Sequence, residues 1–124
     1  MTTHTKKIFV VDDDPAILLF MEALLEDAGY HVALSEKGDA LEKLVPEDLP
    51  HLIILDMLLS GKDGREIARK LKASELTRHI PIIMISAHPG AESAARAAGA
   101  DAFIAKPFEI DDLLALVQDY LARP

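Results

Sequence analysis

Residues 52–56 read LIILD, four apolar side chains in a row closed by Asp56. So short and continuous an apolar run is the pattern of a strand buried on both faces in the middle of a parallel sheet. The expected strand is Leu52–Leu55, running directly into Asp56. Three more segments share its character. Lys7–Val11 (KIFVV) is rich in β-branched residues and is followed by Asp12, Asp13 and Asp14. Pro81–Ser86 (PIIMIS) begins with a proline, which the first position of a strand tolerates. Ala102–Ala105 (AFIA) leads into Lys106 and Pro107. His31–Ser35 is a shorter strand.

The segments between these strands are helical. In Pro15–Ala28, proline suits a first turn, Ile17, Met21, Leu24 and Ala28 form an apolar stripe, and Gly29 supplies a stop. Asp39–Val45 is expected to be a short helix, and Pro46 and Pro50 bracket the loop after it. Asp63 and Gly64 begin a helix that runs to Ala73. The alanine-rich stretch Ala91–Ala98 is a weak helix ended by Gly99, and a last helix spans Ile110–Leu121. Strands alternating with helices imply right-handed crossovers, and hence a parallel sheet covered on both faces: a three-layer α/β sandwich.

The 124 residues suit one domain, 1–124, and half of them are hydrophobic, enough for a full core. The net charge of −8 argues against direct, sequence-independent nucleic-acid binding, which needs a basic surface. Cysteine is absent, which excludes disulfides and thiolate metal sites and fits a cytoplasmic location. No apolar run is long enough for membrane insertion, and the first residues lack a signal-peptide layout.

In such sheets ligands bind outside the carboxyl ends of the strands. Those ends carry Asp12, Asp13 and Asp14 after the first strand, Asp56 after the third, Ser86 at the fourth and Lys106 after the fifth. The second strand contributes nothing comparable, which places it at an edge. Carboxylates held this close repel by roughly 1–4 kcal/mol per pair at a surface-like dielectric. A hard divalent cation, Mg²⁺ or Mn²⁺, relieves that repulsion. A carboxylate nucleophile, a cation and a lysine together make a site for a phosphoryl group, with Ser86 able to hydrogen-bond one of its oxygens. Each part has an ordinary explanation when taken alone. Aspartates before a helix are commonly caps, and an aspartate after a strand is commonly a turn residue. Their order along the chain, each at a strand end, carries the argument.

VVDDDP at the first strand end, ILDMLLSGKDG around Asp56, IIMISA at the fourth strand and DAFIAKPF at the fifth resemble the receiver domain of two-component response regulators. The resemblance covers essentially the whole chain. It implies a flavodoxin-like, doubly wound (βα)5 fold with strand order 2-1-3-4-5. It also implies that Asp56 is the phosphoacceptor, that Asp13 binds the metal directly, and that Asp12 assists through water or outer contacts. The backbone carbonyl of Leu58 would complete the metal ligands, Ser86 and Lys106 would hold the phosphoryl group, and Phe103 would change rotamer with the hydroxyl. A cis bond between Lys106 and Pro107 is implied as well.

Implied partners are a sensor histidine kinase or histidine phosphotransfer protein and a downstream protein, with the chain a monomer or weak dimer. Its chemistry would be confined to its own phosphorylation and dephosphorylation, with no output domain in this chain. It would be either a stand-alone receiver or the receiver fragment of a longer regulator.

Two departures from the family pattern stand out. Ser60, followed by Gly61, replaces the usual proline after the acceptor, so that loop is expected to be less rigid. The segment from Ser86 to Lys106 is shorter than usual and offers its helix mainly alanines. A shortened or mobile fourth helix is expected, on the face the family normally uses for output. The five histidines (His4, His31, His51, His79 and His88) show no metal-ligand spacing and read as surface or loop residues. His88, two positions after Ser86, would overlook the site and influence the lifetime of a phosphoryl group.

Two other functions on similar folds need residues that this chain does not have. An aspartate-nucleophile phosphatase needs a second acid two residues after its nucleophile, where this chain has Leu58. A flavin or nucleotide module needs a glycine- or hydroxyl-rich phosphate loop after the first strand, where this chain has DDDP.

Overall fold

The computed structural model describes residues 5–59 and 62–123. Five parallel strands, β1 (Lys7–Val11), β2 (His31–Ser35), β3 (Leu52–Asp56), β4 (Ile82–Ser86) and β5 (Ala102–Ala105), form one sheet in the order β2-β1-β3-β4-β5. The crossovers between strands are made by α1 (Pro15–Asp27), a 3₁₀ segment (Gly38–Lys43), α2 (Gly64–Ala73) and α3 (Glu92–Ala97), and α4 (Ile110–Ala122) follows the last strand. This is the three-layer α/β sandwich expected from the apolar runs, in the doubly wound flavodoxin-like strand order that the resemblance implied, with β2 at an edge.

Alternation within each strand divides the core into two layers. Ile8, Val10, Leu52, Ile54, Ile83 and Ile85 pack against Met21 and Leu25 of α1 and Leu113 and Val117 of α4. Ile53, Leu55 and Met84 face the other way, toward Leu41 of the 3₁₀ segment, Ile67 and Leu71 of α2 and Ala95 of α3. Burial of every β3 and β4 side chain accounts for the unbroken apolar runs. Gly29 (φ 99°) and Gly99 (φ 106°) take left-handed conformations just past α1 and α3, where a side chain would add strain. No helix among the described residues is long and apolar enough to cross a membrane.

The structure corrects the helix expected at Asp39–Val45. That segment is a 3₁₀ helix over Gly38–Lys43, and Pro46–Asp48 makes a second 3₁₀ turn. Lys37 offers no side-chain cap, Leu44 is extended, and Pro46 follows at once, so there is no room for a full α-helical nucleus. Gly38 is buried against Ile67 Cδ1, which occupies the space a β-carbon would need.

The fourth helical segment is short, as expected. A 3₁₀ turn at Pro89–Ala91 leads into the six residues of α3, where Ala95 is the one buried residue. Its anchors are a Glu92–Arg96 ion pair of 2.9 Å and a hydrogen bond from Arg96 Nη1 to the carbonyl of Asp101 at 3.2 Å. Exposed pairs of this kind contribute about 0.3–0.5 kcal/mol, and alanines bury little apolar area. Amide hydrogen exchange over residues 92–97 should therefore be much faster than over the buried stripe of α1. Equal protection of the two helices would contradict this account of α3.

Candidate functional site

Parallel strands bring their carboxyl ends to one edge of the sheet, and the register aligns the site residues there. Asp56 pairs with Ile85, Val11 with Leu55, and Ser86 with Ala105. Asp12 follows β1 and Lys106 follows β5, and the Lys106 N–H donates to the Ser86 carbonyl at 2.7 Å. The Lys106-Pro107 peptide is cis, as the resemblance implied.

Carboxylate oxygens of Asp12, Asp13 and Asp56 all lie within 4.8 Å of one another. Asp12 is fully buried and Asp56 is 6% exposed. The three consecutive aspartates separate into distinct tasks. Asp14 is the N-cap of α1, its carboxylate accepting the Ala16 N–H at 2.9 Å. Asp12 accepts the Asp14 N–H through one oxygen at 2.9 Å and the Lys106 ammonium through the other at 2.9 Å. Asp13, half-buried, completes the acidic cluster with Asp56.

Lys106 reaches across the cluster, with Nζ 2.9 Å from Asp12 and 3.6 Å from Asp56. Burial lowers its pKa, but the hydrogen bond and charge of Asp12, reinforced by Asp56, outweigh that and raise it above the usual lysine value. The Asp56 pKa is raised as well, which for an acid disfavours the charged form. Burial first, then the charge of Asp12, push its pKa up to about 6, against the smaller opposing effects of Lys106 and the Leu58 N–H. The three carboxylates of the cluster therefore carry more negative charge than one lysine can neutralise. Oxygen donors, a buried floor and surplus negative charge fit a hard cation such as Mg²⁺.

Leu58 sits two residues beyond Asp56, its N–H 3.5 Å from an Asp56 oxygen, and its side chain is 57% exposed. Residues Leu58–Leu59 and Lys62–Asp63 pair as a short antiparallel ladder. Ser60 and Gly61, where a less rigid loop was expected, lie outside the described residues.

Asp63 caps α2 by accepting the Arg65 N–H at 2.9 Å. Gly64 packs directly on the backbone of Asp56 and Met57, and its N–H donates to the Met57 carbonyl at 2.8 Å. A β-carbon there would collide with the Asp56 carbonyl oxygen. Gly64 was legible as a helix start, but its contact with Asp56 was not.

Ser86 is 2% exposed, and its hydroxyl oxygen accepts the His88 N–H at 3.1 Å. Phe103 is half-buried on β5 and packs against the same core layer as Ala91 and Ala94. His88 is exposed, as are His31, His51 and His79, while His4 lies outside the described residues. The structure thus brings Asp12, Asp13, Asp56, Ser86 and Lys106 to one rim. The direct Lys106–Asp12 hydrogen bond is a feature the sequence did not suggest.

Comparison with known proteins gives a consistent picture. The family model described as response regulator receiver domain matches residues 8–118. The chain is 38% identical over 119 residues to the phosphate regulon transcriptional regulatory protein PhoB of Rhizobium meliloti, covering 94% of this chain and 52% of that protein. It is 37% identical over 110 residues to the response regulator PleD of Caulobacter vibrioides, covering 87% of this chain and 24% of that protein. It thus spans about half the length of PhoB and about a quarter of PleD.

Among solved structures, a putative response regulator from Chloroflexus aurantiacus superposes with a TM-score of 0.90 at 33% identity, over 97% of this chain and 100% of that one. The receiver domain of the sensor histidine kinase PA1611 from Pseudomonas aeruginosa, described with a magnesium ion coordinated in its active site cleft, gives 0.87 at 28% identity, with the same coverage.

Proposed function

The chain belongs to the response regulator receiver domain family of two-component signalling, and from that premise we propose that Asp56 is its phosphoacceptor. The observation that carries this reading is the placement of Asp56, nearly buried, beside two further carboxylates and a lysine at the carboxyl edge of the sheet. An Asp56 carboxylate oxygen attacks the phosphorus of a phosphohistidine, the P–N bond breaks, and the imidazole leaves. The product is an acyl phosphate on Asp56. The donor is a sensor histidine kinase or a histidine phosphotransfer protein.

Asp13 and Asp56, with the Leu58 carbonyl, would hold Mg²⁺, which neutralises charge on the transferring oxygens and favours the ionised form of Asp56. Asp12 has committed both carboxylate oxygens to Asp14 and Lys106, which supports an outer role through water. Lys106 swings a short way from Asp12 to pair with the phosphoryl group, and the Ser86 hydroxyl donates to another of its oxygens. Phe103, half-buried beside the small residues of α3, follows the hydroxyl and passes the change to a protein-binding surface. The chemistry stays on the chain itself, so the domain acts as a signalling switch with no independent substrate.

Acetyl phosphate with Mg²⁺ should add one alkali-labile phosphoryl group to the wild-type chain and none to Asp56→Asn. Equal labelling of the variant, or labelling independent of Mg²⁺, would overturn the proposal.

A further inference from the structure

At the end of the sheet opposite Asp56 lies a groove of about 600 Å³, within the roughly 300–1,000 Å³ range of small-molecule sites. It is bounded by residues just before β1, β3 and β4 and by the carboxyl end of α4. The chain as a whole is acidic, with 13 lysines and arginines against 21 acids. The groove reverses that balance. Lys6, His51, Lys72, Arg78, His79 and Arg123 line it, and Asp101 is the one acid among its described lining residues.

Two of these basic side chains are already engaged. Lys72 pairs with Asp101 at 2.9 Å and donates to the Ile80 carbonyl at 2.9 Å. Arg123 pairs with Asp119 at 2.7 Å and stacks over the Tyr120 ring. Both stand near helix carboxyl ends, where positive charge is ordinary dipole compensation. Lys6, Arg78 and His79 have no such explanation. They lie outside the helices and make no ion pair among the described residues. His51 Nδ1 accepts the Lys7 N–H at 2.9 Å, which leaves the other ring nitrogen to carry a proton and donate. Partial desolvation, and then the charge of Lys6, hold its pKa below the usual histidine value.

We propose that this groove binds a small phosphate-bearing anion. Lys6 and His51 supply donors from the starts of β1 and β3, and Arg78 and His79 supply them from the turn before β4. A guanidinium fork, an ammonium and an imidazole N–H suit the several acceptor oxygens of a phosphate. Leu49, Pro81 and Tyr120 offer an apolar wall to an organic moiety. A long polyanion fits poorly, because beyond the groove it would meet a surface whose net charge is −8. The site is spatially and chemically separate from Asp56, so neither reading depends on the other.

The test is a titration of the full chain with ADP, glucose 6-phosphate and pyrophosphate, in EDTA without Mg²⁺, followed by amide chemical shifts. Saturable shifts should centre on residues 6, 51, 78 and 79, and binding should weaken with added salt. Arg78→Gln and Lys6→Gln should each weaken binding about tenfold, the equivalent of one charge-assisted hydrogen bond of roughly 1.4 kcal/mol. Lys43→Gln, outside the groove, should bind as wild type. Melting curves establish that the variants are folded.

Tighter binding of the organic phosphates than of pyrophosphate would assign the ligand an organic moiety, and equal binding would assign recognition to the phosphate alone. No saturable shift at millimolar ligand would overturn the proposal. So would shifts centred on Lys106, or unchanged affinity in both groove variants.

Discussion

Asp56→Asn should stabilise the metal-free protein by about 3 kcal/mol at pH 8, although it removes the group on which function depends. The cause is the displacement of the Asp56 pKa from 3.8 to about 6, by burial first and the Asp12 charge second. Each pKa unit corresponds to about 1.4 kcal/mol. The sign follows from proton linkage. Between these values the native chain holds a proton that the unfolded chain has released, so stability falls as pH rises through the window. Above about pH 6 the cost is fully present. Wild type and variant should therefore melt alike near pH 4, diverge toward pH 6 and stay apart above it. Saturating Mg²⁺ should narrow the gap by stabilising wild type more. Denaturant melts across pH, with and without Mg²⁺, check this. A variant less stable than wild type at pH 8 would show that the Asp56 charge is already satisfied.

Lys106→Met should act in the opposite direction. It preserves the length of the side chain but leaves fully buried Asp12 without its cation and Asp56 without its counter-charge. Breaking a buried pair costs about 3–5 kcal/mol. Lys106 is itself 23% exposed, so solvent screening reduces the expected loss to about 2–4 kcal/mol. For a chain of this size that is a fall in Tm of roughly 10 °C. Mg²⁺ should recover part of it, because the ion supplies the missing positive charge. Labelling by acetyl phosphate should slow roughly a hundredfold, the usual scale for removing one donor to developing negative charge. Calorimetry and the labelling rate read the two effects separately. A Lys106→Met chain as stable as wild type at neutral pH would contradict the electrostatic account of the cluster.

The opposite signs at two touching residues distinguish electrostatics from packing. Loss of packing would destabilise both variants. Excess negative charge predicts gain from Asp56→Asn and loss from Lys106→Met.

The sheet was legible because β3 and β4 are buried on both faces, and their unbroken apolar runs announce that directly. The 3₁₀ segment was not legible as such. Over the six residues GDALEK, a period of three and a period of 3.6 place the same apolar residue, Leu41, in the core. Positions of the site residues were legible because strand ends converge in this architecture. Their contacts were less so, since the Lys106–Asp12 hydrogen bond joins residues 94 apart. The fit of Gly64 over the Asp56 carbonyl is likewise a tertiary fact with no local signature. In α3 the alanine content itself carried the information, because small side chains limit burial whatever the fold around them.

Asp56 should be the residue that forms the acyl phosphate. The most direct test is borohydride reduction of the chain after acetyl phosphate and Mg²⁺, which converts a phosphoaspartyl residue to homoserine, followed by peptide mapping. The expected product carries homoserine at position 56 and nowhere else, and it is absent without Mg²⁺. Homoserine at position 12 or 13 with position 56 unmodified would contradict the account.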